Sequence, residues 1–170
     1  DAFQFIQQGG EWKVFAGADT QRRDPARCGR GTAPVPEPRP TATDTAAVLA
    51  PIQQLFAAME TRDTAAIRAV FHPEARTLSF LPDGTLRPGT IASFIASIRG
   101  GDALRERMHN PEVRISDNLA AVWTFYDFHI GERLSHCGMD YGQLLRSPDG
   151  WKIVQLSWTG RRDGCERVTK

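Results

Sequence analysis

No apolar run in this 170-residue sequence approaches the roughly 20 residues that a membrane-spanning helix needs. Charge of one sign is also missing. Lys and Arg number 21 against 20 Asp and Glu, a net of +1, so the composition carries no electrostatic footprint for nucleic acid. The doublets Arg22-Arg23 and Arg161-Arg162 are too short to make one. Cysteine is scarce. Cys28, Cys137 and Cys165 cannot all pair within one chain and show no metal-ligand spacing, so they read as ordinary thiols. No His/Glu set has zinc spacing, and no metal is expected. There is no G-x-S-x-G, Walker loop or G-x-G-x-x-G, which argues against a hydrolase elbow and a nucleotide loop. No cofactor motif is present, so none is expected. A signal peptide is not visible, and the sequence begins with Asp1. The start is read as missing, by processing or truncation, and no compartment is assigned. The length suits one domain with a core of ordinary size.

What is present is a meander. LAAVWTFYDFHI, LSHCGMDYGQLL and GWKIVQLSW are rich in β-branched and aromatic residues and are separated by turn residues. Its faces follow from turn arithmetic. A two-residue turn at Gly131-Glu132, closed by Ile130 and Arg133, sets Asp127 opposite His136 and Trp123 opposite Asp140. A three-residue loop closed by Ser147 and Trp151 sets Asp140 opposite Trp158, Gly142 opposite Leu156 and Leu144 opposite Val154. Opposed residues share a face. One face then holds Trp123, Phe125, Asp127, His136, Asp140, Leu144, Val154, Leu156 and Trp158. It is apolar at one end and carries an Asp/His group at the other. Tyr126 and Cys137 fall on the reverse face. One slipped residue in either turn would exchange faces for a whole strand.

The first stretch repeats the last. At an offset of 139 residues, Asp1 falls on Asp140, Gln4 on Gln143, Trp12 on Trp151 and Lys13 on Lys152. Thr20 falls on Thr159, and Arg22-Arg23-Asp24 on Arg161-Arg162-Asp163, with Cys28 two residues out of step with Cys165. Residues 1–24 therefore read as the C-terminal hairpin of an upstream repeat in a tandem protein. Phe3, Phe5 and Phe15 on that hairpin lack covering helices, so it should dock on a sheet edge or apolar patch, or be poorly ordered. Residues 25–43, dense in Pro, read as an extended linker.

A domain over 44–165 follows. Asp44 can cap a helix bearing Val48, Ile52, Leu55, Phe56 and Met59 on one face, with Pro51 a kink or the true start. Asp63 caps a short second helix that Pro73 ends, and ARTLSFL reads as a strand. A short broken strand precedes a third helix, capped by Thr90 and carrying Ile91, Phe94, Ile95 and Ile98. The strand from about Arg107 to Ile115 contains Pro111, which suits an edge or a bulge. The order α-α-β-β-α-β-β-β-β makes an α+β domain with a mostly antiparallel sheet.

That order, together with TRDTAAIRAVFHPEA, NLAAVWTFY and the closing DGWKIVQLSW, resembles the nuclear transport factor 2-like superfamily. SHCGMD followed by GWKIV resembles its SnoaL-like, putative lumazine-binding subgroup. The resemblance covers about residues 44–162. It implies a cone, in which a curved sheet wraps around helices and leaves a cavity at the wide end. It also implies dimers through the outer sheet face, and a scaffold shared by enzymes and binding modules.

Three residues are candidates for acid–base work. Asp140 between Trp123 and Trp158 would be desolvated and its pKa raised, as a proton donor at neutral pH requires. Asp127 beside His136 would fix the imidazole's tautomer and raise its basicity. Both groups could equally be satisfied structural pairs. Trp123, Trp158 and Phe125 would hold a flat ligand. Arg107 and His109 join this face if the loop at Ser116-Asp117-Asn118 has three residues, with Arg107 opposite Asp127; a two-residue loop turns both outward. The expected partner is a small molecule, bound by a cofactor-independent isomerase, cyclase or dehydratase, or by a non-catalytic ligand-binding or dimerisation module.

Overall fold

The computed structural model describes residues 2–8, 11–18 and 39–165. The expected linker lies outside the described residues up to residue 38, and so does Cys28. A separate two-stranded antiparallel sheet joins β1 (Ala2–Gln8) and β2 (Glu11–Ala18). The apolar side chains expected on one face of this hairpin, Phe3, Phe5 and Phe15, lie outside the described residues.

Helix α1 (Ala42–Thr61) starts at a capping box. The Thr41 hydroxyl accepts from the Asp44 amide, and the Asp44 carboxylate accepts from the Thr41 amide. The cap is thus Thr41, and the expected cap Asp44 is the third helical residue. The helix runs through Pro51 and buries Val48, Ile52, Leu55, Phe56 and Met59. It ends at Arg62, whose φ of 57° is left-handed. That guanidinium donates to the carbonyls of Ile98 and Asp102. Asp63 caps α2 (Thr64–Val70) by accepting from the amides of Ala65 and Ala66. Then come β3 (Phe71–Phe80), β4 (Leu86–Thr90) and α3 (Ile91–Ile98), the last capped by Thr90 as expected. β5 (Leu104–Ser116), β6 (Leu119–Ile130), β7 (Arg133–Ser147) and β8 (Gly150–Thr159) complete the domain. The element order is the one read from the sequence. β3 and β5 start earlier than expected, because the chain extends through Pro73 and from Leu104.

The six strands lie in the order β4-β3-β8-β7-β6-β5. All pairs are antiparallel except β3 with β8, which are parallel. Both edge strands contain a proline, Pro88 in β4 and Pro111 in β5. The helices cover one face, and a single core joins Val48, Leu55 and Ile67 from α1 and α2 and Ile95 from α3 to Val122, Leu144, Ile153 and Leu156 from the sheet. Burying a Val, Leu or Ile side chain stabilises by roughly 1.5–3 kcal/mol, so this cluster holds the helices on the sheet.

Three bulges set which side chains face the helices. β6 and β7 turn at Gly131-Glu132, with Ile130 opposite Arg133 as expected, but the register slips between Phe128 and His129. Ser135 is the extra residue. Beyond it Phe128 lies opposite His136, Asp127 opposite Cys137, Thr124 opposite Asp140 and Trp123 opposite Tyr141. The expected pairs Asp127–His136 and Trp123–Asp140 are therefore wrong by one residue, and Trp123, Phe125 and Asp127 move to the outer face. β7 and β8 turn in two residues, with Ser147 opposite Gly150, and slip at Val154. Leu144 pairs Ile153 instead of Val154, and the bulge restores Asp140 opposite Trp158. β5 and β6 also turn in two residues, with Ser116 opposite Leu119, and slip at Asn110-Pro111. Asn110 takes the left-handed φ of 50° that this bulge needs.

Cys137 and Cys165 form a disulfide. The reading of all three cysteines as ordinary thiols is corrected for these two. The bridge pins the 3₁₀ turn after β8 to β7, where Cys137 and Arg161 also exchange backbone hydrogen bonds.

Candidate functional site

Two acids are buried on opposite faces of the sheet. Asp140 projects to the helix side, opposite Thr124 and Trp158, and is only 4% exposed. Its partner is Glu106, on the same side of β5. Desolvation raises the Asp140 pKa to about 7, against which the hydrogen bond from Glu106 works. Glu106 is raised well above the usual carboxylate range, first by desolvation, then by the Asp140 charge and the hydrogen bond between them. Two hydrogen-bonded carboxyls whose pKa values are both raised resist ionising together, so the pair retains a proton near neutral pH. The second Asp140 oxygen, Oδ2, is buried without a hydrogen-bond partner among the described residues.

The neighbours of the pair are aromatic. Tyr126 is buried, donates to the Thr159 carbonyl at 2.8 Å, and is kept neutral by burial and by the two acids. His136 lies against Phe128, with ring centroids 4.7 Å apart, and edge-on to Tyr126 at 5.7 Å. Desolvation, with Arg162 second, lowers the His136 pKa and favours the neutral imidazole. Trp158 packs near Phe94 of α3 at 6.2 Å. Glu106, Met108, Phe128, His136, Phe94 and Trp158 are all partly exposed, so this end of the helix side meets solvent.

The outer face carries a different acid. Asp127 is fully buried, yet burial, which raises its pKa, is outweighed by Arg107 and then by His109 and His129, which leave it below the ordinary value. Arg107 grips it with two hydrogen bonds of 2.9 and 2.5 Å. His109 Nε2 stands 3.6 Å away. Phe125 lies between His109 and Arg161. Trp123 is 50% exposed beside Tyr141.

The structure thus brings Asp140, His136 and Trp158 to one side. It does not bring Asp127, Trp123, Phe125, Arg107 or His109 there. The two expectations for Arg107 combine: the loop has two residues, so Arg107 and His109 face outward, and the Pro111 bulge still sets Arg107 opposite Asp127. Glu106 was not among the expected residues. Its signal lies in LRERM, where alternation puts Glu106 on the side of Leu104 and Met108.

Two clefts lie away from the Glu106–Asp140 pair. One of about 640 Å³ runs between α1, α2 and the β7–β8 turn, lined by Ala50, Pro51, Gln54, Ala66 and Trp151. The other, about 330 Å³, is lined by Phe80, Phe125, Met139 and Arg161. Among the described residues no cluster of His, Cys, Asp and Glu could hold a metal ion, and no helix is long and apolar enough to cross a membrane.

A family model described as "Putative lumazine-binding" matches residues 43–159. No curated protein matches the sequence. Solved structures share the fold. A protein from Streptomyces avermitilis, described as a "putative dehydratase from the NTF2-like family", is 16% identical, with a TM-score of 0.60 over 70% of this chain and 96% of that one. An NTF2-like protein of unknown function from Shewanella baltica is 15% identical, with a TM-score of 0.58 over 74% and 100%. A "putative aromatic ring hydroxylase" from Novosphingobium aromaticivorans is 18% identical, with a TM-score of 0.59 over 72% and 92%. At these identities the likeness shows the fold alone.

Proposed function

We propose a function from the premise that this chain belongs to the putative lumazine-binding family, a SnoaL-like branch of the nuclear transport factor 2-like superfamily. The helix side of the sheet is a small-molecule site, and Asp140 with Glu106 is its acid–base pair. The observation that carries this reading is a hydrogen-bonded pair of acids, both pushed above the ordinary carboxylate range, beside a buried Asp140 oxygen with no partner among the described residues. Such a pair can take a proton from one carbon or oxygen and return it to another, without a cofactor. Isomerisation, aldol-type cyclisation and dehydration fit that chemistry. A flat, apolar ligand fits the Trp158, Phe128 and Met108 surroundings. Asp140 exchanges the proton with the ligand, Glu106 holds it between steps, and neutral His136 offers a further hydrogen bond. The neighbours described as a dehydratase and a hydroxylase agree with a small organic substrate.

Replacing Asp140 by Asn tests this. With a substrate found by screening, turnover should fall on the order of 10²–10⁴-fold while binding survives. Unchanged turnover rejects the assignment.

A second reading is a non-catalytic ligand-binding or dimerisation module. The position of both clefts away from the acid pair favours it. So does Trp123, half exposed on the outer face, where a homodimer would bury it. Equilibrium sedimentation of the Trp123→Ser variant separates these: a dimer lost with Trp123 supports the module.

A further inference from the structure

The hairpin β1–β2 and the hairpin β7–β8 share more than sequence. At the offset of 139 residues their pairings coincide. Gln8–Glu11 falls on Ser147–Gly150, and Gln7–Trp12 on Arg146–Trp151. Phe5–Val14 falls on Leu144–Ile153. Each hairpin then skips one residue, and Gln4–Ala16 falls on Gln143–Gln155. Both the two-residue turn and the bulge are reproduced at the same places. Turn length alone does not dictate where a bulge falls, and amphipathic alternation opposes one, because the extra residue reverses the faces beyond it.

Exposure supplies an independent observation. Trp151 and Ile153 are core residues at 8% and 0% exposed. Their counterparts Trp12 and Val14 are 68% and 57% exposed. Among the described residues, Trp12 and Val14 take the places of core residues and stand exposed. A lone hairpin is marginal in water, so these residues need a sheet and helices of the kind that cover β7–β8.

We infer that residues 1–24 are the closing hairpin of a second domain of this same fold, whose other elements precede Asp1. The shared pairing, the shared bulge and the exposed Trp12 and Val14 carry this assignment, and the proposed role of Asp140 does not enter it.

The experiment reads the gene upstream of the codon for Asp1 and then expresses the longer chain. The expected result is a domain's length of coding sequence with the order α-α-β-β-α-β-β and a cysteine at the place matching Cys137. In the longer protein, acrylamide quenching of Trp12, isolated by difference from Trp12→Phe, should fall several-fold relative to the present chain. An upstream sequence without that pattern, or equal quenching in both proteins, overturns the domain. Neither readout depends on turnover, so a failure of the Asp140 mechanism leaves it standing.

Discussion

Asp140 and Asp127 are buried on opposite faces of one sheet, and their pKa values move in opposite directions. Burial raises both. The difference lies in the partner: another carboxyl for Asp140, a guanidinium for Asp127. Depth alone therefore says nothing about whether a buried acid is poised for proton exchange or locked as an anion. The inner acid has a raised pKa and an oxygen with no hydrogen-bond partner among the described residues. The outer acid has neither, and acts as a structural anchor between β5 and β6.

Removal of the disulfide by Cys137→Ser with Cys165→Ser gives the largest expected effect, a destabilisation of about 2–4 kcal/mol in urea unfolding. A change near zero would mean that the turn after β8 is held by its backbone bonds alone. Next comes Arg107→Ala, which leaves the outer carboxylate buried and unpaired. Breaking a buried pair costs about 3–5 kcal/mol; with the Arg107 side chain 58% exposed, the expectation drops to roughly 2 kcal/mol. Adding Asp127→Asn should recover part of it, and no recovery would show that Arg107 acts through packing.

The pH dependence sharpens the contrast. A raised folded pKa means that the native inner pair holds its proton where the unfolded chain has released it. Its stabilisation is present at low pH and falls as pH rises from the ordinary carboxylate range through about 7, with a slope of up to about 1.4 kcal/mol per pH unit for each raised group. The outer acid has a lowered pKa, so its contribution is present at neutral pH and is lost only as pH falls below the ordinary range. Between pH 5 and 8, Asp140→Asn should flatten the stability profile, while Asp127→Asn should leave its slope unchanged. The smallest effect is expected for Trp123→Ser in the monomer, within about 0.5 kcal/mol by thermal unfolding.

The sequence made the scaffold legible because helical stripes, caps and turn residues are local signals. The site was only half legible, because faces depend on registers. Asp140 opposite Trp158 was read correctly through two compensating features, a turn one residue shorter than expected and a bulge at Val154. Asp127 opposite His136 was misread because Ser135 forms a bulge with no Gly or Pro to mark it. Pro111 did mark its bulge, yet could not say which residue would be skipped. Glu106 was missed because the strand was begun at about Arg107, three residues too late. The disulfide left no local trace, since three cysteines 28 residues and more apart fit several pairings.

The prolines at the two rims carry one more consequence. Pro88 and Pro111 each remove an amide from the outermost strands, and Asn110 bends the second of them. A neighbouring chain therefore finds no continuous ladder to extend at either rim, and ribbon-like growth into fibres is blocked from both ends. Copies of this domain that meet must do so broadside, through side chains.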